Sequence, residues 1–313
     1  MGTAFVFSGQ GSQYAGMGKE LYDARPAFRR VYERASDALG FSVEKMSFEP
    51  ENEAELNDIV NCQLAIFTMS VAAGVLLESE GVLADMAAGF SLGEYSALAW
   101  SGALPFEEAL QLVLKRGEAM KAYAPDGVMY AVIGLEEEAA AGVCENVSGV
   151  YAANYNSPEQ TVISGEPEAA LLAAEAARAL GAKAFKLNTS GPFHSPLMQG
   201  AADVLKKTLD TTNFTRPRVK TVSNVTAETL EDARELPGIL YKHMISPVLW
   251  RKSVSKMFDD GMTDFVELGP KRTLSAFIKR TEPKSTTYNV EDEKSLQNVL
   301  IKLGGGANEW KAG

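Results

Sequence analysis

Ala87-Ala88-Gly89-Phe90-Ser91-Leu92-Gly93 is the stretch that most constrains the fold. Its last five residues match the nucleophile-elbow pattern G-x-S-x-G, in which a strand turns sharply into a helix and exposes a serine hydroxyl at the helix N-terminus. An apolar segment precedes the pattern, and helix-forming residues follow it from Gly93 to Trp100. We therefore predict an α/β fold in which Ser91 is a nucleophile.

A serine hydroxyl is a poor nucleophile without a neighbouring base. The chain has two histidines, His194 and His243. His194 lies in a turn-rich segment that suits a cleft, whereas the pattern around His243 is typical of a partly exposed helix. We predict that His194 is the base. No compelling acidic residue lies between Ser91 and His194, so we expect a backbone carbonyl to hold the imidazole tautomer.

The glycine loop from Gly9 to Gly18 matches neither common phosphate-binding pattern. Tyr14 occupies the position of the last glycine in the dinucleotide fingerprint, and Glu20 stands where a P-loop needs Ser or Thr. The loop could instead bring a backbone N–H, such as that of Gln10, close to a reacting carbonyl.

Arg116 lies on a well-marked amphipathic helix predicted from Phe106 to Tyr123. A buried guanidinium would need an anionic partner and suits a carboxylate. An arginine on such a helix is more often a solvated surface residue. The helical pattern alone leaves both interpretations open.

The middle of the chain differs in pattern from the two ends. From Val128 to Leu187 the apolar periodicity predicts the order β-α-β-β-α-β, which is that of a ferredoxin-like module. We predict that this module, residues 127–188, is inserted into a large α/β domain formed by residues 1–126 and 189–305. Residues 306–313 are predicted to form a flexible tail.

Strands and helices of the large domain can also be read from the sequence. Apolar runs predict strands at 3–7, 220–223 and 264–268, and helical periodicity predicts helices at 26–39 and 63–80. We expect a further helix to open at Gly269-Pro270, because proline suits a first helical turn.

Composition excludes several classes of function. The net charge of -11 argues against nucleic acid as a partner. Cys62 and Cys144 stand in unrelated contexts, which supports neither a disulfide framework nor a zinc site. The apolar stretch from Leu64 to Leu77 is too short to span a bilayer and predicts a buried core helix, and the N-terminus lacks a signal-peptide pattern. We expect a soluble, cytoplasmic protein, with a monomer as the working expectation.

Five ordered motifs together resemble those of the malonyl-CoA:acyl carrier protein transacylases and of the related acyltransferase domains of polyketide synthases. The similarity runs from about Thr3 to Thr281. The motifs are Gly9 to Gln13 (GQGSQ), Gly89 to Ala97 (GFSLGEYSA), Lys115-Arg116-Gly117, Asn154 to Pro158, and Phe193-His194-Ser195.

The resemblance implies an α/β-hydrolase-like large domain with a mostly parallel sheet and a ferredoxin-like insert. It also implies transfer of malonyl from malonyl-CoA to the phosphopantetheine thiol of acyl carrier protein, in fatty-acid synthesis. Ser91 would be acylated, His194 would act as base and then acid, and Arg116 would bind the malonyl carboxylate. Coenzyme A would enter only as a substrate thioester, with no cofactor, metal or membrane partner.

Three further residues have expected roles, two of them from the same resemblance. The backbone amides of Gln10 and Leu92 would form the oxyanion hole. Phe193, beside the base, is expected to narrow the space next to the malonyl α-carbon and to disfavour methylmalonyl.

Two positions depart from the family pattern. Many relatives have histidine where this chain has Phe90, and Leu249 stands where relatives often have glutamine. In the family, the carbonyl that orients the catalytic histidine comes from the backbone at that second position. Leucine supplies a carbonyl equally, so we expect catalysis to survive.

Other functions compete with malonyl transfer. A thioesterase or esterase would use the same serine and base with water as acceptor. Supply of a polyketide pathway in trans would use the same chemistry as fatty-acid synthesis. A degenerate family member that only binds carrier protein is the third alternative.

Overall fold

The computed structural model describes residues 2–189 and 191–304. The predicted tail at 306–313 lies outside them. Within the described residues the strands are β1 (Gly2–Phe7), β2 (Met86–Gly89), β3 (Val128–Ile133), β4 (Val150–Ser157), β5 (Gln160–Gly165), β6 (Lys183–Lys186), β7 (Lys220–Val222), β8 (Met262–Leu268) and β9 (Thr286–Val290).

The same residues contain helices on both sides of the strands. They are α1 (Lys19–Ala24), α2 (Pro26–Leu39), α3 (Val43–Phe48), α4 (Glu53–Leu56), α5 (Ile59–Ser79), α6 (Leu92–Trp100), α7 (Phe106–Tyr123), α8 (Glu137–Glu145), α9 (Pro167–Ala179), α10 (Gln199–Leu209), α11 (Leu236–Ile245), α12 (Trp250–Asp259), α13 (Thr273–Thr281) and α14 (Glu293–Leu303).

The larger sheet is parallel and has the strand order β7-β2-β1-β8-β9. The central strand, β1, shows why this sheet is covered by helices on both faces. Phe5 and Phe7 enter the core on one face of β1, whereas Ala4 and Val6 enter a second core on the other face. A strand buried on both faces is nearly continuous in apolar residues, and helices must cover both sides of its sheet.

The smaller sheet is antiparallel, with the strand order β4-β5-β3-β6. Its elements follow each other along the chain as β-α-β-β-α-β, in the predicted order. Helices α8 and α9 bury an alanine-rich face against one side, where Ala170, Ala173 and Ala174 are fully buried. Small side chains let the helix approach the sheet closely.

Helix α5 is the long apolar helix of the larger unit. It is long and apolar enough to cross a membrane, but 83% of its most apolar 18-residue window is buried inside the protein. The prediction of a buried core helix is therefore confirmed, but the expectation that the stretch is too short to span a bilayer is wrong, since the helix extends over 21 residues. The helix begins at Ile59 rather than Gln63, because the Asp58 carboxylate accepts from the N–H of Val60 and caps it.

The prediction of a helix opening at Gly269-Pro270 is wrong, since α13 begins at Thr273. Gly269 and Lys271 have φ values of 129° and 66°, which a right-handed helix excludes. The buried carboxylate of Glu267 accepts from the N–H groups of Leu274 and Ser275 at 2.9 and 2.7 Å. This carboxylate, not the proline, fixes the start of α13.

The carboxyl ends of β1 and β2 meet at one edge of the parallel sheet, beside the antiparallel sheet. A cavity of about 690 Å³ lies there. Its walls include the glycine loop at Gly9–Gln13, the elbow at Phe90–Ser91, and Ala131 and Val162 of the smaller sheet. Crevices at this edge of parallel sheets are the usual ligand sites of α/β folds.

Candidate active site

Ser91 stands between β2 and α6 in a strained turn. Its φ is 52° and its ψ is -107°, a conformation rare for a residue with a side chain. A Cβ on Gly89 would lie 1.8 Å from the carbonyl carbon of Gly93, and one on Gly93 would lie 2.1 Å from the oxygen of Phe7. Both glycines of the pattern are therefore required by the turn.

The structure brings Ser91 and His194 together. The Ser91 Oγ lies 2.7 Å from the His194 Nε2, and the His194 Nδ1 lies 3.0 Å from the backbone oxygen of His243. Because a carbonyl only accepts, Nδ1 carries the hydrogen and Nε2 accepts from the serine hydroxyl. This is the tautomer that a general base needs.

The expectation that the residue 249 carbonyl orients the base is wrong. The acceptor is His243, six positions earlier, at the end of α11. The Leu249 carbonyl instead accepts from the N–H of Ser253 at 2.9 Å, in the first turn of α12. A side-chain change at position 249 therefore does not reach the imidazole through that carbonyl.

Burial first, and then the positive charge of the Arg116 guanidinium, lower the pKa of His194 to about 4. The carbonyl that accepts from Nδ1 acts in the opposite sense. The imidazole is therefore neutral at physiological pH and able to accept a proton.

The prediction that His243 is partly exposed is wrong, since its side chain is fully buried. Helix α11 turns this face inward, where the ring lies 6.3 Å from the Tyr95 ring and 5.2 Å from the His194 ring. Burial lowers its pKa well below the ordinary value. The helical pattern predicted α11 but not the neighbouring side chains that bury His243.

Arg116 is 1% exposed, so the surface interpretation is wrong. Its Nη1 donates to the Gln63 Oε1 at 2.5 Å and its Nη2 to the Ser91 Oγ at 3.2 Å. Its guanidinium carbon lies 5.3 Å from the Tyr95 ring centroid. These partners are all neutral.

The carboxyl group of Glu94 does not act as a full counter-ion to Arg116. Burial raises the pKa of Glu94 to about 8, so it is largely protonated at neutral pH. Burial also lowers the pKa of Arg116, yet a guanidinium keeps its proton in proteins. In the part of the chain that the structure describes, a buried positive charge beside the Ser91 hydroxyl is therefore left without an anion.

The glycine loop packs directly against the elbow. A Cβ on Gly9 would lie 2.5 Å from the backbone oxygen of Phe90. The Gln10 Oε1 accepts from the Gln63 Nε2 at 3.3 Å, which ties the loop to the residue that holds Arg116. The backbone N–H groups of Gln10 and Leu92 donate to no acceptor in the described part of the chain.

Two aromatic side chains line the cavity beside the reacting groups. Phe193 precedes the base and is 6% exposed. Phe90 precedes the nucleophile, and its ring meets the Trp250 ring edge to face at 5.6 Å. At the position where many relatives have histidine, this chain therefore builds an apolar wall.

Sequence reasoning missed four buried polar residues of the site, Gln63, Glu94, Asn224 and His243. Gln63 had a readable signal, because it is a polar residue within an apolar helix. Glu94 belongs to the quoted GFSLGEYSA motif, but its burial was not readable. Across residues 2–189 and 191–304, no group of three or more His, Cys, Asp or Glu side chains could hold a metal ion.

Known proteins resemble this chain over nearly its whole length. The family model described as "Acyl transferase domain" matches residues 4–299. "Malonyl CoA-acyl carrier protein transacylase" of Bacillus subtilis (strain 168) is 40% identical over 307 residues, 96% of each chain. The protein of that name from Escherichia coli (strain K12) is 38% identical over 95% of this chain and 98% of its own.

Solved structures agree with the sequence comparisons. A malonyl CoA-acyl carrier protein transacylase from Clostridium perfringens has a TM-score of 0.94 at 38% identity, covering 97% of this chain and 98% of its own. A malonyl-transacylase in complex with a type II PKS acyl-carrier protein has a TM-score of 0.93 at 36% identity, covering 96% and 99%. The chain therefore belongs to the acyl transferase domain family, among its malonyl CoA-acyl carrier protein transacylases.

Proposed function

We propose that this protein is an acyl carrier protein S-malonyltransferase. It moves malonyl from malonyl-CoA to the phosphopantetheine thiol of acyl carrier protein through an ester on Ser91, and it supplies fatty-acid synthesis. The observation that carries the proposal is the buried charge of Arg116, which has no ion-pair partner among residues 2–189 and 191–304 and lies 3.2 Å from the Ser91 Oγ. The free carboxylate of a malonyl group supplies that anion.

In the first half of the reaction, the Ser91 Oγ attacks the thioester carbonyl and passes its proton to the His194 Nε2. The carbonyl oxygen becomes negative and accepts from the N–H groups of Gln10 and Leu92. When the carbon–sulfur bond breaks, the coenzyme A sulfur takes the proton from Nε2. The products are malonyl-Ser91 and free coenzyme A.

The second half runs the same steps with the carrier thiol. His194, neutral again, takes the thiol proton while the sulfur attacks the malonyl ester. The new carbon–sulfur bond forms, the carbon–oxygen bond to Ser91 breaks, and the serine recovers its proton from Nε2. The serine proton leaves on the coenzyme A thiol and the carrier thiol's proton replaces it, so Ser91 and His194 end in the protonation states in which they began, and the reaction needs no cofactor beyond the coenzyme A thioester that is its substrate.

The same geometry gives a reason for substrate choice. An acetyl group lacks the distal carboxylate and would leave Arg116 unpaired in a desolvated pocket, which is costly. Phe193 stands beside the base, where an added methyl on the malonyl α-carbon would crowd its ring. We therefore expect malonyl to be preferred over acetyl and over methylmalonyl.

We also infer how the chain is organised. Residues 1–126 and 189–305 form an α/β-hydrolase-like domain, and residues 127–188 form a ferredoxin-like insert. The strand order β4-β5-β3-β6 within the β-α-β-β-α-β sequence supports the insert. The net charge of -11 supports a protein without nucleic-acid partners, and the two free cysteines support a cytoplasmic one. A monomer suffices because the site is built from one chain.

Intact-protein mass spectrometry after incubation with malonyl-CoA tests the proposed reaction. We expect a malonyl adduct on Ser91 that persists in buffer and disappears when a carrier protein bearing phosphopantetheine is added. Loss of the adduct to water as fast as to the carrier would identify a hydrolase. No adduct at all would contradict the proposal and favour a carrier-binding module.

The second metabolic use of the same chemistry is polyketide synthesis. The solved relative bound to a type II PKS carrier supports keeping this alternative. Release of the malonyl adduct to a fatty-acid carrier protein and to a polyketide carrier protein can be compared under the same conditions. Faster release to the polyketide carrier would overturn the assignment to fatty-acid synthesis.

A further inference from the structure

The elbow around Ser91 depends on a side chain from outside it. The Nδ2 of Asn224 donates to the backbone oxygen of Gly89 at 2.6 Å, and its Oδ1 accepts from the N–H of Ser91 at 2.8 Å. One amide group thus contacts the peptide groups before and after Phe90. Asn224 is fully buried, so water does not compete for these hydrogen bonds.

The fold explains how Asn224 reaches the elbow. Strand β7 pairs in parallel with β2, and Val222 lies opposite Ala88. Asn224 follows two residues later, beside the point where β2 turns into α6. Its backbone carbonyl accepts from the N–H of Leu249 at 2.8 Å, which fixes the position of the side chain.

Asn224 is also connected to the groups that hold the base. Its N–H donates to the Glu94 Oε2 at 3.3 Å, and that oxygen lies 3.4 Å from the His243 Nδ1. The His243 carbonyl in turn accepts from the Nδ1 of His194. Buried polar groups therefore lie between the support of the nucleophile and the support of the base, although the His243 ring nitrogens form no hydrogen bond within the described residues.

We propose that Asn224 is a positioning residue that holds the strained turn at Ser91, and thereby keeps the Ser91 Oγ within reach of the His194 Nε2. The inference rests on the proposed function only in taking Ser91 as the nucleophile. A positive φ at a residue with a side chain persists only where its surroundings over-determine it. The two hydrogen bonds of the Asn224 amide supply that constraint on both sides of Phe90.

Removal of the Asn224 side-chain amide should therefore displace the Ser91 hydroxyl, in addition to any loss of stability in the core. Without it, the Gly89 oxygen and the Ser91 N–H lose their recorded partner in a buried site, and the turn can relax to avoid that cost. A misplacement of about 1 Å in a catalytic group can lower a rate about 100-fold. A purely structural role would lower thermal stability and leave the reactivity of the folded serine unchanged.

The rate of Ser91 labelling by phenylmethylsulfonyl fluoride, followed by intact mass, tests the proposal. This reagent reports on the serine itself and needs no acyl-CoA. We expect Asn224→Ala to label about 100-fold more slowly than the parent protein. Thr221→Val is the matched control. The buried Thr221 hydroxyl donates to the Val219 oxygen, with a donor–acceptor distance of 2.9 Å, and this hydrogen bond does not involve the elbow. Equal labelling of the parent and Asn224→Ala would overturn the proposal.

A second variant, Asn224→Asp, keeps the shape of the side chain and gives a pH-dependent readout. A protonated carboxyl donates to the Gly89 oxygen, whereas an ionised one repels it. Burial raises the pKa of the introduced group, so the neutral form returns as pH falls. The charged and titratable groups nearby are Glu94 and His243 on one side, and Arg116 and His194 across Ser91.

We expect the labelling rate of Asn224→Asp, divided by that of the parent, to rise from about pH 8 to about pH 5. A ratio independent of pH would contradict the proposal, even if Asn224→Ala failed to fold. Labelling with malonyl-CoA is measured in parallel on the parent protein. If the parent reacts with the sulfonyl fluoride but not with malonyl-CoA, the proposed function fails, while the role of Asn224 is still decided by the sulfonyl fluoride rates.

Discussion

The two sides of the site differ in how complete they are. On the nucleophile side, Ser91 and His194 contact each other, the Asn224 amide and the His243 carbonyl, and the Ser91 Oγ also accepts from Arg116. On the opposite side, the buried guanidinium of Arg116 has only neutral partners. One side is preorganised, and the other lacks an anion.

This difference separates chemistry from selectivity. The nucleophile side can attack any acyl carbonyl that reaches it, because its geometry exists before substrate binds. The cation side reaches its lowest free energy only when an acyl group brings a negative charge. Substitutions on the first side should therefore affect all acyl groups alike, and those on the second should discriminate among them.

Loss of the nucleophile should have the largest effect, and it should be the same for every substrate. Ser91→Ala removes the atom that forms the ester, so we expect the rate of malonyl transfer to fall on the order of 10⁶-fold. Ser96→Ala is the control, because Ser96 is buried in α6, the helix that Ser91 precedes, and its hydroxyl has no hydrogen-bond partner within the described residues. Steady-state transfer to carrier protein measures both, and residual transfer by Ser91→Ala at more than a trace would contradict the ester mechanism.

Loss of the cation should discriminate between substrates. Arg116→Met keeps much of the side-chain volume but removes the charge, so we expect kcat/KM for malonyl-CoA to fall about 10²- to 10³-fold. Acetyl-CoA, which has no carboxylate to lose, should be affected far less. Arg34→Met is the control, since Arg34 is exposed and paired with Glu107. An equal loss of kcat/KM for malonyl-CoA and acetyl-CoA would show that Arg116 contributes to the reaction of every acyl group and not to the choice between them.

The aromatic wall should produce a smaller change in selectivity. Phe193→Ala opens space beside the base, so the ratio of kcat/KM for methylmalonyl-CoA to that for malonyl-CoA should rise about 10-fold. Competition between the two thioesters for the same enzyme measures the ratio directly. Thermal unfolding of the variant shows whether the buried ring also supports the fold, and an unchanged ratio in a folded variant would remove Phe193 from the specificity determinants.

The smallest expected effect links the two sides through pH. The reactive form of His194 is neutral, and its pKa is lowered to about 4, so Ser91 labelling by phenylmethylsulfonyl fluoride should stay constant from neutral pH downward and fall only as pH approaches 4. Arg116 is one cause of that lowering, so in Arg116→Met the midpoint should move to higher pH. A midpoint that stays fixed would show that burial alone sets the pKa of His194.

The parts of the site that were predictable share a local cause. The elbow needs glycines at fixed spacing from its serine because of close backbone contacts within a few residues, and those contacts can be read from sequence. Helices α2 and α7 begin and end at their predicted residues, since proline at N1 and a helix-long apolar pattern are also local signals. The start of α13 was missed, because the Glu267 side chain that fixes it comes from a neighbouring strand.

The sequence alone therefore predicts Ser91 as the nucleophile, His194 as its base and the alternation of strands and helices that sets the fold class, and the structure places the two side chains within hydrogen-bond distance. Only the tertiary structure decides that Arg116 is buried, that His243 rather than Leu249 orients the base, and that Asn224 supports the elbow. These properties depend on which elements pack together. Burial, pKa and hydrogen-bond partners arise from neighbours distant in the chain, and no local pattern encodes them.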